Sequence, residues 1–238
     1  MQIRPVLLCL ALLSTSVAAH AADKNAFLLN RWGKTAATTT YTVDTVKDGV
    51  RVRSRVEYTG DGQGNTRAFE YAIGKDGRLN SATRHDTTTW SDTLTIFTPS
   101  KANDALTVSD MKGTERTAER TFPLPSPEST LVLPDDPAIW EVLLKVIAAH
   151  PHANGIYMLT VPAYDKIPDQ VLPFLLSPAA ESTGTLDGKP IPLKHYTLTF
   201  HDGPKTEIYT DADGRLMCAQ VGAPNATHIR KNFTLSGK

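Results

Sequence analysis

Few residues in this chain have the type and spacing that chemistry requires. Ser109-Asp110-Met111-Lys112 fits a Ser-x-x-Lys pattern. That motif needs the serine at a helix start with the lysine one turn on, whereas this one lies in a strand-to-turn region ahead of Gly113. There is no Gly-x-Ser-x-Gly elbow. Among the histidines, His150 and His152 flank Pro151, and His195 and His201 fall on one face of a strand. At ~3.4 Å per residue the latter two stand about 20 Å apart and cannot share an ion. Asp135 and Asp136 are explained by a helix start, and Asp187, Asp202 and Asp211 by turns. No cysteine cluster, His-Glu-x-x-His or calcium-loop spacing occurs. The residues therefore predict no catalytic group, no metal site and no cofactor. A pair of carboxylates brought together by the fold needs no sequence signature, so a hydrolase stays open as one reading.

The element able to position a binding surface is the helix predicted at 136–149. Asp136 can accept a bond from a free N–H of the first turn, Pro137 suits the first helical position, and His150-Pro151 stops the run. Glu141 and Lys145 form a thin polar stripe as an i,i+4 pair, while Ile139, Trp140, Val142, Leu143, Leu144, Val146 and Ile147 cover most of the circumference. Such a helix needs cover on most sides. It is either plain core or one wall of an apolar cavity.

The chain of 238 residues carries 25 basic and 25 acidic side chains. Zero net charge and the lack of a basic strand interleaved with aromatics argue against a nucleic-acid partner. Arg4 precedes the apolar run Val6–Leu13, and Ala19-His20-Ala21 supplies small residues at cleavage positions, so 1–21 reads as a signal peptide cleaved near Ala21. The run is too short for a retained membrane anchor, and Leu8 before Cys9 argues against lipidation. A periplasmic or secreted protein without a transmembrane helix is expected. Cys218 then remains as a lone thiol, in the run Leu216-Met217-Cys218-Ala219 that reads as buried strand.

A single β-rich domain is expected over 22–238. Its N-terminal meander at 35–122 shows period two, as where Val50, Val52, Val56 and Tyr58 alternate with Arg51, Arg53, Arg55 and Glu57. The arginine row reads as the solvated face. Closely spaced prolines make 123–135 an extended strut. After the helix comes a second meander, 154–235, in which Val171–Leu176 is interrupted by Pro173 and reads as an edge or lid rather than a central strand. Ile208–Leu216 echoes Glu70–Leu79: each is a strand, an Asp-Gly turn and a return that opens with Arg-Leu. Related modules and shared turn chemistry both account for the echo. The fold class expected is mainly β (α+β), with curved antiparallel sheet built from two similar meanders around one long central helix.

The tail Tyr209-Thr210-Asp211-Ala212-Asp213-Gly214-Arg215-Leu216, followed by His228-Ile229-Arg230, resembles the last hairpin of bacterial periplasmic proteins of unknown function related to the DUF3108 group. The segment from Leu131-Val132-Leu133 to Val161-Pro162 is similar to their middle. The resemblance implies a LolA/LolB-like architecture, in which acyl chains occupy an apolar concavity, and it brings no catalytic residue. The function expected is a binding or carrier module for a lipid or other hydrophobic ligand. Trp140, Leu144, Ile147, Phe174 and Leu176 would line its cavity. The alternatives are a cell-envelope structural or interaction protein with no ligand, and the hydrolase named above.

Overall fold

The structure, a computed structural model, describes residues 25–124, 130–132, 136–149, 156–160, 170–200, 205–222 and 226–236. The leader expected at 1–21 and residues 125–129 and 133–135 of the strut lie outside the described residues.

Alternating apolar and polar residues build the first half as consecutive hairpins. The strands are β1 (Ala26–Arg31), β2 (Lys34–Val46), β3 (Gly49–Tyr58), β4 (Thr66–Gly74), β5 (Leu79–Thr87), β6 (Asp92–Pro99), β7 (Ala105–Lys112) and β8 (Glu115–Pro123). Each pairs antiparallel with the next. The arginine row of β3 faces solvent and meets acids beside it, Arg53 with Asp44 at 2.9 Å and Arg55 with Glu57 at 3.0 Å. Strand β8 pairs with β7 alone among the described residues. Its Glu115, Arg116, Glu119 and Arg120 put charge on a sheet edge, where charge discourages pairing with another chain. The first hairpin turns on Trp32 and Gly33, both at positive φ (48° and 75°). Glycine adopts that conformation freely, but for tryptophan it costs about 1–2 kcal/mol.

The second half comprises β9 (Thr130–Val132), the helix α1 (Pro137–Ala149), β10 (Ile156–Thr160), β11 (Gln170–Pro178), β12 (Ser182–Leu186), β13 (Lys189–Phe200), β14 (Thr206–Thr210), β15 (Leu216–Val221), β16 (Ala226–Arg230) and β17 (Phe233–Leu235). Strand β1 lies between β2 and β16 and so stitches the halves together. The result is one fifteen-stranded sheet in the order β8-β7-β6-β5-β4-β3-β2-β1-β16-β15-β14-β13-β11-β10-β9, antiparallel except for the parallel β9–β10 pair. Strands β12 and β17 pair with each other, and β12 also pairs with the first half of β13, in a second, small sheet.

Two expectations are corrected here. The chain is nearly all-β, with one sheet and one short helix, rather than an α+β, LolA/LolB-like assembly of two meanders around a long central helix. At 13 residues the helix spans about 20 Å. Strand β1, which falls outside the meander expected at 35–122, is the physical reason that two halves become one sheet. The segment Val171–Leu176 is a paired strand inside that sheet rather than a lid. Its first half pairs with β10 and its second with β13, overlapping only at Phe174. Pro173 and Pro178 thus each keep one flank without a partner strand among the described residues, which is the condition a proline needs.

The sheet curls around a single large core. Inward residues of β1 to β7, such as Phe27, Tyr41, Val52, Tyr71, Phe97 and Leu106, share it with Leu198, Ile208 and Leu216 from the second half. Ala138, Ile139, Trp140, Val142, Leu143 and Leu144 of α1 belong to the same cluster. A second, small core of Leu193, Tyr209, Met217, Cys218 and Phe233 lies on the other face, under the small sheet. Cys218 is buried in it and forms no disulfide among the described residues.

Candidate functional site

Helix α1 is fixed to the inner wall of the sheet by polar groups at two places in its N-terminal half. At its start, Asp136 is fully buried and its carboxylate accepts bonds from the backbone N–H of Ala138 (3.0 Å) and from the Ser54 hydroxyl of β3. One turn on, Glu141 is 5% exposed. Its Oε2 accepts from Tyr41 Oη at 2.6 Å, Arg230 Nη2 at 3.0 Å and the Leu216 backbone N–H at 3.1 Å.

Three strands supply those donors, and each is set in place by register. Arg230 lies opposite Phe27 across the β1–β16 pair. Its guanidinium sits 4.9 Å over the Phe27 ring, and its Nε donates to the Leu216 carbonyl at 2.7 Å. The Tyr41 ring stacks on Phe27 at 5.6 Å, and its hydroxyl accepts from Arg230 Nη2 at 2.8 Å. Burial above all, and then the Glu141 carboxylate, push the Tyr41 phenol far above the ordinary tyrosine range, against the opposing effect of Arg230. A buried carboxylate and guanidinium are thus matched by several charge-assisted bonds, as burial demands. The arrangement is a tether between helix and sheet. It holds no nucleophile with a base beside it.

The residues expected to line a cavity are distributed as follows. Trp140 and Leu144 are buried in the main core at 3% and 7% exposure. Leu176 of β11 is half-buried and packs against the same core. Ile147 lies in α1 and Phe174 in β11, with Phe174 opposite Ile156 and Phe200, and both side chains lie outside the described residues. The expected Glu141–Lys145 surface stripe is not how Glu141 is used, because its partner is Arg230, 89 residues away in sequence. Two signals pointed that way: an acid alone on an otherwise apolar helix, and an arginine on the same β16 face as Ala226 and His228. Neither identified the other.

The three histidines among the described residues lie apart from one another, and His150, His152 and His201 lie outside the described residues. His85 is exposed and meets Asp92 at 2.5 Å, His228 is buried on the inner face of β16, and His195 is on the opposite, outer face of β13. His195 Nε2 is 2.6 Å from Glu207 Oε2, and Thr197 Oγ1 donates to the same oxygen at 2.9 Å. The imidazole stacks on Tyr209 at 4.3 Å, whose phenol is raised first by burial and then by Glu207 and Cys218. Beside this group lies an open cleft of about 320 Å³ lined by Lys205, Glu207, Gln220 and Thr227 among others. A base and a carboxylate are present there, but Thr197 spends its proton on Glu207 rather than on the imidazole, so no activated nucleophile results. Among the described residues no group of His, Cys, Asp and Glu is placed to hold a metal ion, and no helix is long and apolar enough to cross a membrane.

A curled antiparallel sheet with a helix against its inner face places this chain among β-barrel-like proteins. Among solved structures it is similar to a β-barrel-like protein of the domain of unknown function DUF1849 from Brucella abortus, with a TM-score of 0.53 and 8% identity, covering 89% of this chain and 96% of that one. A DUF1089 family protein from Pseudomonas aeruginosa matches with a TM-score of 0.44 and 11% identity over 75% and 87% of the two chains. No family model and no curated protein matches. At 8% identity the first likeness establishes the fold alone. It replaces the DUF3108 and LolA/LolB-like resemblance drawn from the sequence. Asp211-Ala212-Asp213-Gly214-Arg215, which carried part of that resemblance, is turn chemistry that the first half shares. Gly74–Arg78 and Asp211–Arg215 close their hairpins with the same backbone bonds, and in both an aspartate Oδ1 accepts from the arginine N–H.

Proposed function

We propose that the protein is a non-catalytic binding module of the cell envelope, exported by the leader at 1–21, that takes a lipid or other hydrophobic small molecule against α1. The observation that carries this reading is the apolar inner wall of the curled sheet, with α1 laid on it and fixed by two polar tethers at its N-terminal half. Ligand pockets favour such concave, mostly apolar surfaces with a few placed polar groups. Trp140 and Leu144 form the helix side of the site, and Ile147 belongs to the next turn. Leu176, with Phe174 before it on β11, forms the sheet side, and Leu175 between them, 66% exposed, points to the opposite face. The β-barrel-like fold supports the reading to the extent that such folds can enclose a ligand.

The test is solvent extraction of the purified protein followed by mass spectrometry, with thermal-shift titration by a long-chain fatty acid and by a phospholipid. A co-purifying lipid and a concentration-dependent rise in Tm are expected. A clean extract with no shift from either ligand would remove the carrier reading.

A further inference from the structure

Two of the three tryptophans are left in solvent, and both lie at the same end of the sheet. Strand alternation puts the turns at 32–33, 59–65, 88–91 and 113–114 at one end, and those at 47–48, 75–78 and 100–104 at the other. Trp32 and Trp90 sit on the tips of the β1–β2 and β5–β6 hairpins, 75% and 93% exposed. Among the described residues the opposite end has no exposed aromatic ring.

Folding does not account for either ring. The Thr88–Ser91 turn is closed by bonds from the backbone N–H groups of Trp90 and Ser91 to the Thr88 hydroxyl, so the Trp90 indole adds nothing to it. Trp32 stands in a left-handed position that asparagine or glycine would occupy with less strain. Strain kept at an exposed tip points to a use outside the fold. The neighbours of Trp32 indicate which use. Arg31 and Lys34 pair across the same tip, both are exposed, and neither has an ion-pair partner among the described residues. An indole between two cations suits the headgroup layer of an anionic bilayer, where tryptophan settles at the water boundary and each basic side chain gains from the negative surface. We propose that this end of the sheet docks on an anionic membrane surface, with Trp32 and Trp90 as the inserted rings and Arg31 and Lys34 as the charge contacts.

The test is flotation of the full mature chain with vesicles of phosphatidylcholine, with and without phosphatidylglycerol, at low and high salt, while tryptophan emission is recorded. Association with the anionic vesicles, weakened by salt and accompanied by a blue shift, is expected. W32N should lower the association at least roughly tenfold, as loss of an anchoring side chain does, and W90S should lower it further. Because W32N relieves the turn, its Tm should equal or exceed that of the wild type, which separates lost docking from lost folding. Three results would overturn the proposal: no association of the wild type, equal binding by W32N/W90S, or equal binding to neutral vesicles. Capture of the tips by a protein partner in place of vesicles would overturn it as well.

Discussion

Glu141 is the one acid in α1, and its removal should be felt well beyond its own contacts. E141Q leaves Arg230 buried at 5% exposure without its carboxylate, and breaking one side of such a pair typically costs about 3–5 kcal/mol. Urea denaturation should show that loss for E141Q and for R230M. E141L/R230M should recover much of it, since neither charge is then left buried; full additivity of the two losses would contradict the tether. Tyr41 makes a pH-dependent contribution. Its phenol stays protonated in the fold above the 10.0 at which an unfolded tyrosine ionises. Its contribution is complete below that pH and declines as pH rises beyond it, because the unfolded chain then releases a proton that the native state keeps. Y41F should cost about 1–3 kcal/mol at neutral pH. It should also lose stability less steeply above pH 10 than the wild type does. An unchanged alkaline slope would mean that the buried phenol is not the group responsible.

At the scale of elements, the small sheet closes a ring. β12 pairs with β13, β13 with β14, β14 with β15 and β15 with β16, and the chain leaving β16 returns as β17 to pair with β12. Gly184 is the point of closest approach, since a Cβ there would overlap the Phe233 ring. G184A should therefore destabilise the protein by about 1–3 kcal/mol through overpacking, and G184A/F233L should regain part of that. If G184A proves neutral by thermal melting, the ring is looser than its packing implies. Hairpins such as β2–β3 and β4–β5 were legible in the sequence because alternation and Asp-Gly turns are local signals. The start of α1 was legible for the same reason, through Asp136 and Pro137. Strand β1 was not, although Phe27 and Leu29 alternate, because its worth lies in pairing Phe27 with Arg230 some two hundred residues on. The prolines of β11 misled because a proline's tolerance depends on which flank is paired, and register alone decides that.

For the whole molecule, balanced charge and a mostly β pattern bounded the class of partner without naming one. Of the candidate site, the apolar side of α1 could be read from spacing. The Arg230–Tyr41–Leu216 receptor for Glu141 could not, because three strands meet there only once the sheet has curled. That receptor leaves the helix side chains Trp140 and Leu144 facing the shared apolar interior, the proposed place of a hydrophobic ligand. W32N/W90S removes both exposed indoles and leaves Trp140, at 3% exposure, as the sole tryptophan. Titrating that variant with a long-chain fatty acid bearing a spin-label quencher on its acyl chain tests the central claim directly. Saturable quenching of Trp140 that unlabelled fatty acid reverses is the result expected. Emission that stays constant through the titration would contradict a ligand site against α1.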